Sequence, residues 1–168
     1  MNEDDLTFLR QAIALAQTAR LQGERPFGAV LAFNGQVVAQ ASDSCRALRD
    51  PTAHAELLLI SQYCRTHPLI NLDGSTLYSC GEPCVMCSGA IKWARISRVV
   101  FSVPQAMIQQ VSSGRVKPSC ESIVNTGNLQ IEVLGPCLLE EGWPVYQDFD
   151  FAAHQRLLWQ HADNHQAG

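Results

Sequence analysis

The chain has 168 residues, of which 46% are hydrophobic and 17% charged, proportions that are ordinary for a globular protein with one sizeable core. No run approaches the roughly 20 apolar residues of a membrane-spanning helix, so no membrane contact is expected. The net charge of −4 and the pI near 5.7 argue against a protein that grips a nucleic-acid backbone through a basic patch, without ruling one out.

The first part of the chain is predicted to form a helix followed by a β-hairpin. Residues 5–22 carry apolar side chains at near-helical spacing, and Gly23 ends this helix. Residues 27–33 form a strand, and the Asn34-Gly35 pair that follows is the strongest short signal for a hairpin. Residues 37–41 are then the partner strand, so an antiparallel pair is expected early in the sheet.

In the middle of the chain, two helices alternate with two strands. Thr52 is expected to cap the first helix, which puts His54 and Glu56 in its first turn. A turn at Gly81-Glu82-Pro83 then separates the first strand from the second helix. The predicted order is helix 52–65, strand 75–79, helix 84–95 and strand 97–103.

The last third of the chain alternates short helices with one strand. The tail from His161 is expected to be frayed. No internal repeat, low-complexity tract or linker interrupts the chain, which favours one domain over residues 1–168. The predicted elements are helix 104–111, loop 112–114, short helix 119–125, strand 129–134 and closing helix 147–162.

The most informative pattern is His54-Ala55-Glu56 followed by Pro83-Cys84-Val85-Met86-Cys87. A catalytic zinc keeps three protein ligands and leaves a fourth position to water, whereas a structural zinc usually has four. Cys84 and Cys87 share one helix face, and a helix N-terminus favours the thiolate that binds metal. The pattern therefore predicts one Zn²⁺ held by His54, Cys84 and Cys87, with Glu56 as general acid and base. It matches the H-x-E…P-C-x-x-C signature of zinc deaminases.

Simpler interpretations of each half of this pattern exist. A lone Cys-x-x-Cys is also a redox pair, and a lone His-x-Glu often lies on a solvated helix face. Because both halves occur in this order, and each follows residues typical of a turn, a metal site is the favoured interpretation. Cys80, on a predicted strand, is interpreted as a buried core thiol. Seven cysteines without an export signal predict a reducing, cytoplasmic location.

Longer stretches around these residues resemble the cytidine deaminase-like superfamily, in the branch that holds guanine deaminases, tRNA adenosine deaminases and fungal cytosine deaminase. The resemblance covers residues 5–103 and implies an α/β fold, a three-layer α/β/α sandwich around a five-stranded mixed sheet whose fourth and fifth strands are parallel. It also implies a homodimer with its interface near the active site. The segments that carry it are Pro26–Val30, Asp50–Glu56, Leu77-Tyr78, Glu82–Ile91 and Arg95–Phe101.

The resemblance implies a hydrolytic deaminase of a free nucleobase or nucleoside that releases ammonia. The close match of residues 82–101 to the tRNA enzymes keeps a tRNA adenosine deaminase as an alternative, although the basic residues are scattered. Cytosine deaminase and a non-catalytic zinc partner subunit are further alternatives. The presence of Glu56 argues against the last of these.

Four further residues are candidate substrate contacts. Family members usually carry an Asn at the position of Asp43, and an ionised Asp can only accept hydrogen bonds, which favours a guanine-type purine with an N–H edge. Asp43 is equally interpreted as a turn residue, with Ser42 or Ser44 in its place. Phe27 resembles the aromatic residue that stacks on the base, or is simply core. The other two candidates are Ala55, which lies between His54 and Glu56, and Glu121. Glu121 is alternatively interpreted as a solvated residue at the start of a helix.

Overall fold

The computed structural model describes residues 1–68, 70–112 and 118–159. Part of the predicted loop 112–114, the end of the predicted closing helix and the tail from His161 lie outside these residues. The helices are α1 Glu3–Leu21, α2 Cys45–Leu48, α3 Ala55–Thr66, α4 Val85–Ala94, α5 Gln105–Ser112, α6 Cys120–Val124, α7 Leu139–Gly142, α8 Pro144–Gln147 and α9 Phe151–Trp159. The strands are β1 Gly28–Phe33, β2 Gln36–Ser42, β3 Ser75–Gly81, β4 Arg98–Val103 and β5 Glu132–Leu134.

The five strands form one mixed sheet in the order β2-β1-β3-β4-β5. β1 is antiparallel to β2 and β3, whereas β3, β4 and β5 run parallel. The turn between β1 and β2 is made by Asn34 and Gly35, which both have positive φ, as the tight hairpin turn of this dipeptide requires. The predicted mixed sheet, with its parallel fourth and fifth strands, is confirmed.

Helices cover both faces of the sheet because the strand side chains alternate between two apolar cores. Leu31, Leu77 and Val99 point to one core, together with residues of α3, α4 and α6. Their neighbours Val30, Tyr78 and Val100 point to the other, together with residues of α1, α5 and α8. These two cores give the predicted three-layer α/β/α arrangement.

α1 lies very close to β1 at one point. A Cβ atom on Gly28 would lie 2.4 Å from the carbonyl oxygen of Ala12 and 2.6 Å from the backbone nitrogen of Ala16. Only glycine permits this approach, since any side chain would push the helix away from the sheet. The start of β1, just after Phe27, is therefore fixed against the rest of the fold.

Several predicted boundaries differ from the structure. α3 begins at Ala55, with His54 rather than Thr52 as its N-cap residue. β5 is short because both backbone groups of Ile131 are bound by the side chain of Asn125, at 2.6 and 3.1 Å, and are not free for the sheet. The predicted closing helix 147–162 begins only at Phe151, as α9, after an irregular stretch whose Asp150 side chain accepts from the backbone N–H of Ala153. In the part of the chain that the structure describes, no helix is long and apolar enough to cross a membrane.

Candidate metal and substrate site

Two helix N-termini bring the predicted metal ligands together. His54 is the N-cap residue of α3, Cys84 is the N-cap residue of α4, and Cys87 lies in the first turn of α4. His54 Nδ1 lies 3.5 Å from Cys84 Sγ and 3.7 Å from Cys87 Sγ. The three ligand atoms all lie within 4.8 Å of one another, which fits a single metal ion. One imidazole and two thiols are a donor set that suits Zn²⁺ and leaves a coordination position open.

The electrostatics of the two thiols favour metal binding. Hydrogen bonding from Cys87, more than that from His54, lowers the pKa of the Cys84 thiol to about 3. The pKa of Cys87 is raised, first because its thiol hydrogen-bonds to Cys84 and then because it is buried. Cys84 is present as the thiolate, the form that binds metal.

A second group of possible ligand atoms, from Asp43, Cys45 and His54, also lies within 4.8 Å. Asp43 Oδ2, however, accepts a hydrogen bond from Arg25 Nη2 at 2.7 Å. Burial, followed by the charge of Asp43, raises the pKa of the Cys45 thiol to about 12, so this sulfur stays protonated. His54, Cys84 and Cys87 are therefore the better ligand set.

Glu56 lies in the first turn of α3 and is almost fully buried. Ser79 Oγ donates to Glu56 Oε1 at 3.1 Å, which fixes the carboxyl group at the end of β3. Burial, followed by the negative charge of Cys84, raises the pKa of Glu56. A carboxyl group with a raised pKa, held beside the metal ligands, suits a group that both accepts and donates a proton.

A cavity of about 430 Å³ opens onto His54, Glu56 and Cys84. This volume falls within the roughly 300–1,000 Å³ typical of small-molecule sites. In the cavity wall, Glu82 comes directly after β3 and Gln105 comes two residues after the end of β4. The cavity therefore lies at the carboxyl ends of parallel strands, where α/β sheets usually bind ligands. The other described lining residues are Arg25, Phe27, Cys45, Pro51, Ile108, Gln109, Ser112, Phe151, His154, Gln155 and Leu158.

Phe27 and Ala55 differ in their relation to this cavity. The Phe27 ring lines it and is held by two aromatic neighbours, Tyr146 at 5.5 Å and Phe151 at 6.4 Å between ring centroids. The ring is thus both wall and core, and its placement suits the proposed stacking role. Ala55 is fully buried and does not belong to the described lining.

Asp43 does not face the cavity as the sequence suggested. Its side chain is fully buried in a salt bridge with Arg25, and it is absent from the described lining residues. The structure differs from the expectation because Arg25, eighteen positions earlier in the chain, occupies the carboxylate that was expected to be free. Arg25 itself lines the cavity, so a hydrogen-bond donor stands where an acceptor was expected.

Glu121 also lies outside the described cavity wall. It is exposed on the first turn of α6, as a solvated helix-start residue would be. A different acid, Glu82, reaches the cavity instead. Its Oε2 accepts from the backbone N–H of Gln105 at 3.0 Å and its Oε1 from that of Cys120 at 2.8 Å, so it joins α5 and α6 to the end of β3.

Several polar residues of the site were not predicted from the sequence, among them Arg25, Glu82 and His154. Arg25 precedes the Pro26-Phe27 segment and Glu82 precedes Pro83-Cys84, so proximity to the motifs was the available signal for both. His154 lies on α9, and no motif near it indicated a role.

Comparison with known proteins agrees with this geometry. Residues 2–103 match the family described as the cytidine and deoxycytidylate deaminase zinc-binding region. The chain belongs to this family. Because the family region is a zinc-binding one and His54, Cys84 and Cys87 converge on one point, the predicted zinc cofactor is confirmed.

Relatives in the deaminase family carry names with different substrates. A tRNA-specific adenosine deaminase of Aquifex aeolicus is 43% identical over 95 residues, which cover 56% of this chain and 63% of that protein. A probable cytosine deaminase of Schizosaccharomyces pombe is 33% identical over 154 residues, 89% of this chain and 94% of that protein. A guanine deaminase of Bacillus subtilis is 40% identical over 99 residues, 57% and 62% of the two chains.

Solved structures of deaminases share the fold. A structure from a study of A-to-I editing by tRNA:A34 deaminases superposes with a TM-score of 0.72 at 30% identity, covering 83% of this chain and 99% of that one. A guanine deaminase from Nitrosomonas europaea gives 0.76 at 19% identity, covering 89% and 85%. The second likeness concerns the fold alone.

Proposed function

We propose that this chain is a zinc-dependent hydrolytic deaminase of a free nucleobase or nucleoside, with a guanine-type purine as the first candidate substrate. The observation that carries the proposal is the convergence of His54, Cys84 and Cys87 beside the buried carboxyl group of Glu56, at the mouth of a cavity of small-molecule size.

The residues divide the chemistry between them. When zinc is bound, it lowers the pKa of water to about 7 and so supplies a nucleophile at neutral pH. Glu56 accepts the proton of that water and delivers it to a ring nitrogen of the substrate. The water oxygen adds to the ring carbon that bears the amine. Glu56 then takes the second proton from this added hydroxyl group and passes it to the exocyclic amine, so that the C–N bond breaks, ammonia leaves and the oxygen remains on the ring as a carbonyl. Ser79, through its hydrogen bond, keeps the Glu56 carboxyl group in place for both transfers.

Guanine is retained as the first candidate because a guanine deaminase is among the relatives, at 40% identity. The Asp43 carboxylate gives guanine no support as a substrate, because this carboxylate is paired with Arg25. A tRNA adenosine deaminase is the second candidate, favoured by the 43% identity to the Aquifex enzyme. The net charge of −4 disfavours it, because binding to an RNA backbone depends on basic residues.

The α4 helix supports the proposal of a homodimer. Val85 and Trp93 on this helix are 46% and 89% exposed, and Gly89 lies between them on the same face with open space above it. Such an apolar strip is costly to leave in water and suits a contact between two copies of the chain. Cys84 and Cys87 begin the same helix, so the interface would lie next to the metal site. A cytoplasmic location is proposed on the sequence alone.

The test is ammonia release by the zinc-loaded protein with guanine, guanosine, cytosine, cytidine, adenine, adenosine and a tRNA substrate. Glu56→Gln removes the proton carrier at constant size, and Glu121→Gln makes the same change outside the described cavity wall. Release from one base, lost in Glu56→Gln and kept in Glu121→Gln with zinc bound in both, supports the proposal. Release of ammonia from tRNA alone would favour the second candidate, a tRNA adenosine deaminase. No release from any of them at full zinc content would overturn it.

A further inference from the structure

Two polar groups in the cavity wall lack the partners that buried polar groups normally have. Arg25 Nε and His154 Nε2 are both buried and have no hydrogen-bond partner among the residues that the structure describes. Both residues line the cavity beside Glu56. Buried donors and acceptors are satisfied in the great majority of native structures, so two unsatisfied ones in one cavity wall indicate a ligand that supplies their partners.

Arg25 is held firmly and still keeps part of its guanidinium available. Its Nη2 donates to Asp43 Oδ2 at 2.7 Å and lies 3.0 Å from Cys45 Sγ. The guanidinium carbon lies 5.9 Å from the centre of the Phe27 ring, over the residue proposed to stack on the substrate. Asp43 therefore acts as a positioning residue for Arg25, whose Nε remains a donor without a partner among the described residues.

His154 reaches the same cavity from α9 and is only 6% exposed. Burial, followed by the positive charge of Arg25, lowers the pKa of His154, and the opposing effects of Glu24, Asp43 and the Gly23 backbone are smaller. The imidazole is therefore neutral at pH 7, and a neutral ring nitrogen without a proton can accept a hydrogen bond. Arg25 Nε and His154 Nε2 thus give the cavity wall a donor and an acceptor that have no partner among the described residues.

The charges around the cavity decide between a neutral and an anionic ligand. The charge of Arg25 is balanced by Asp43, and the Cys45 thiol stays protonated because its pKa is raised. The carboxyl groups of Glu56 and Glu82 also line the cavity. Among the described lining residues, a ligand carrying a full negative charge would meet no uncompensated cation, so a neutral carbonyl oxygen is the acceptor that fits Arg25.

We propose that Arg25 and His154 recognise the lactam edge of an amino-oxo heterocycle, with Arg25 donating to the ring carbonyl oxygen and His154 accepting from the adjacent ring N–H. This inference rests on the proposed function and deepens it. Cytosine and guanine both carry such an edge in the ring that bears the amine, whereas adenine does not. A free Asp43 carboxylate would have disfavoured cytosine; under this proposal cytosine is admitted together with guanine, and adenine is disfavoured.

Matched pairs of bases that differ only by the oxo oxygen test the proposal: cytosine against 4-aminopyrimidine, and guanine against 2-aminopurine. Rates of ammonia release by the zinc-loaded protein are measured for the wild type, His154→Phe and Arg25→Lys. His154→Phe keeps a ring without nitrogen, and Arg25→Lys keeps the charge beside Asp43 but loses Nε. Arg156→Gln, on the same helix as His154 and outside the described cavity wall, is the control.

In the wild type, kcat/KM for at least one oxo base is expected to exceed that of its partner by at least about 100-fold, because sites built around a substrate hydrogen bond reject analogues that lack it. Each cavity variant should lower kcat/KM for the oxo base at least tenfold, mainly through KM, and leave its partner base and the Arg156→Gln control nearly unchanged. Equal rates within both pairs, or an equal loss for both members of a pair in the variants, would overturn the proposal.

Calorimetry separates this inference from the proposed function. Pyrimidin-2-one carries the lactam edge that pyrimidine lacks, and neither compound has an amine to lose. Tighter binding of pyrimidin-2-one by at least tenfold, abolished in His154→Phe and in Arg25→Lys, supports the lactam site even if every amine is inert and the deaminase proposal fails. Equal binding of the two compounds, or binding unaffected by both variants, overturns the lactam site even if ammonia is released.

Discussion

Arg98 Nη1 donates to Asp5 Oδ1 at 2.6 Å, and this ion pair joins β4 to the first turn of α1. Asp5 also accepts from Tyr78 Oη at 2.8 Å and from the backbone N–H of Asn2 at 2.9 Å. Hydrogen bonding from Arg98 is the largest effect on the pKa of Asp5, which lies well below its usual range despite burial. The carboxylate is therefore a junction between α1, β3 and β4.

Replacing this carboxylate should destabilise the fold. Asp5→Asn removes the charge from a nearly buried pair with Arg98, and the free energy of unfolding should fall by about 2 kcal/mol, since a charge-assisted hydrogen bond contributes about 1.5–3 kcal/mol. Denaturant unfolding of the two proteins measures the difference. Asp4→Asn, an exposed change in the same helical turn, is the control and should have little effect. Equal losses in the two variants would contradict the assignment.

The same group predicts how stability depends on acid. Because the folded-state pKa of Asp5 is depressed, its stabilisation is complete above its unfolded pKa of about 3.9 and is lost as the pH falls towards the folded value. The stability difference between wild type and Asp5→Asn should therefore be constant from pH 7 to about pH 5 and shrink below about pH 4. Unfolding curves across this range provide the measurement, and a difference that grows on acidification would be inconsistent with the ion pair.

Metal content should follow the three proposed ligands. Cys84→Ala should lower bound zinc well below one ion per chain, whereas Cys45→Ala, which belongs to the competing group of ligand atoms, should keep it. Metal analysis after dialysis distinguishes the two variants. Removal of zinc from the wild type by a chelator should also lower Tm, because the metal binds the folded chain more tightly than the unfolded one. Loss of zinc in Cys45→Ala and not in Cys84→Ala would assign the metal to the other group.

Glu82 should hold α5 and α6 in place. Glu82→Ala leaves the backbone N–H groups of Gln105 and Cys120 without their carboxylate partner, and stability should fall by about 1–3 kcal/mol. Hydrogen exchange should become faster at these two amides before it does so in β3. Glu121→Ala, an acid on the surface of α6, serves as the matched change. Unaltered exchange at both amides in Glu82→Ala would show that the carboxylate does not bind them in solution.

The exposed strip on α4 should govern self-association. Trp93→Glu places a charge at its most exposed apolar position and should raise the dimer dissociation constant at least tenfold. Leu21→Glu is the matched control, because Leu21 on α1 is equally exposed at 89%. Analytical ultracentrifugation compares the three proteins. A wild-type monomer, or a dimer that withstands the Trp93 change and dissociates with the Leu21 change, would place any interface elsewhere.

The parts of the fold that sequence reasoning predicted well depend on local patterns. The Asn34-Gly35 turn and the spacing of Cys84 and Cys87 are patterns that span only a few residues. The hairpin of β1 and β2 and the helix α4 could therefore be predicted from the sequence. The side chain of Asn125 that shortens β5 acts across six positions and gives no such local signal.

The residues of the cavity wall could not be predicted from the sequence for a related reason. Asp43 was compared with the residue usual at its position, but its partner Arg25 is brought to it only by the folded chain. His154 is one of three consecutive polar residues on α9, and its burial in the cavity wall depends on how this helix packs against Phe27 through Phe151. Pairings of this kind depend on tertiary packing, which a single sequence does not show.

The chain order of the cavity residues has a consequence for how this protein can diversify. The region matched to the deaminase family ends at residue 103, and it contains His54, Glu56, Cys84 and Cys87. The cavity wall contributed by α5 and α9, including His154, comes entirely from the chain after that point. The residue proposed for proton transfer therefore lies in the earlier segment together with Arg25 and Phe27, and the rest of the proposed substrate surface lies largely in the later one. A change in the later segment can alter the base that is admitted while the reacting groups keep their positions.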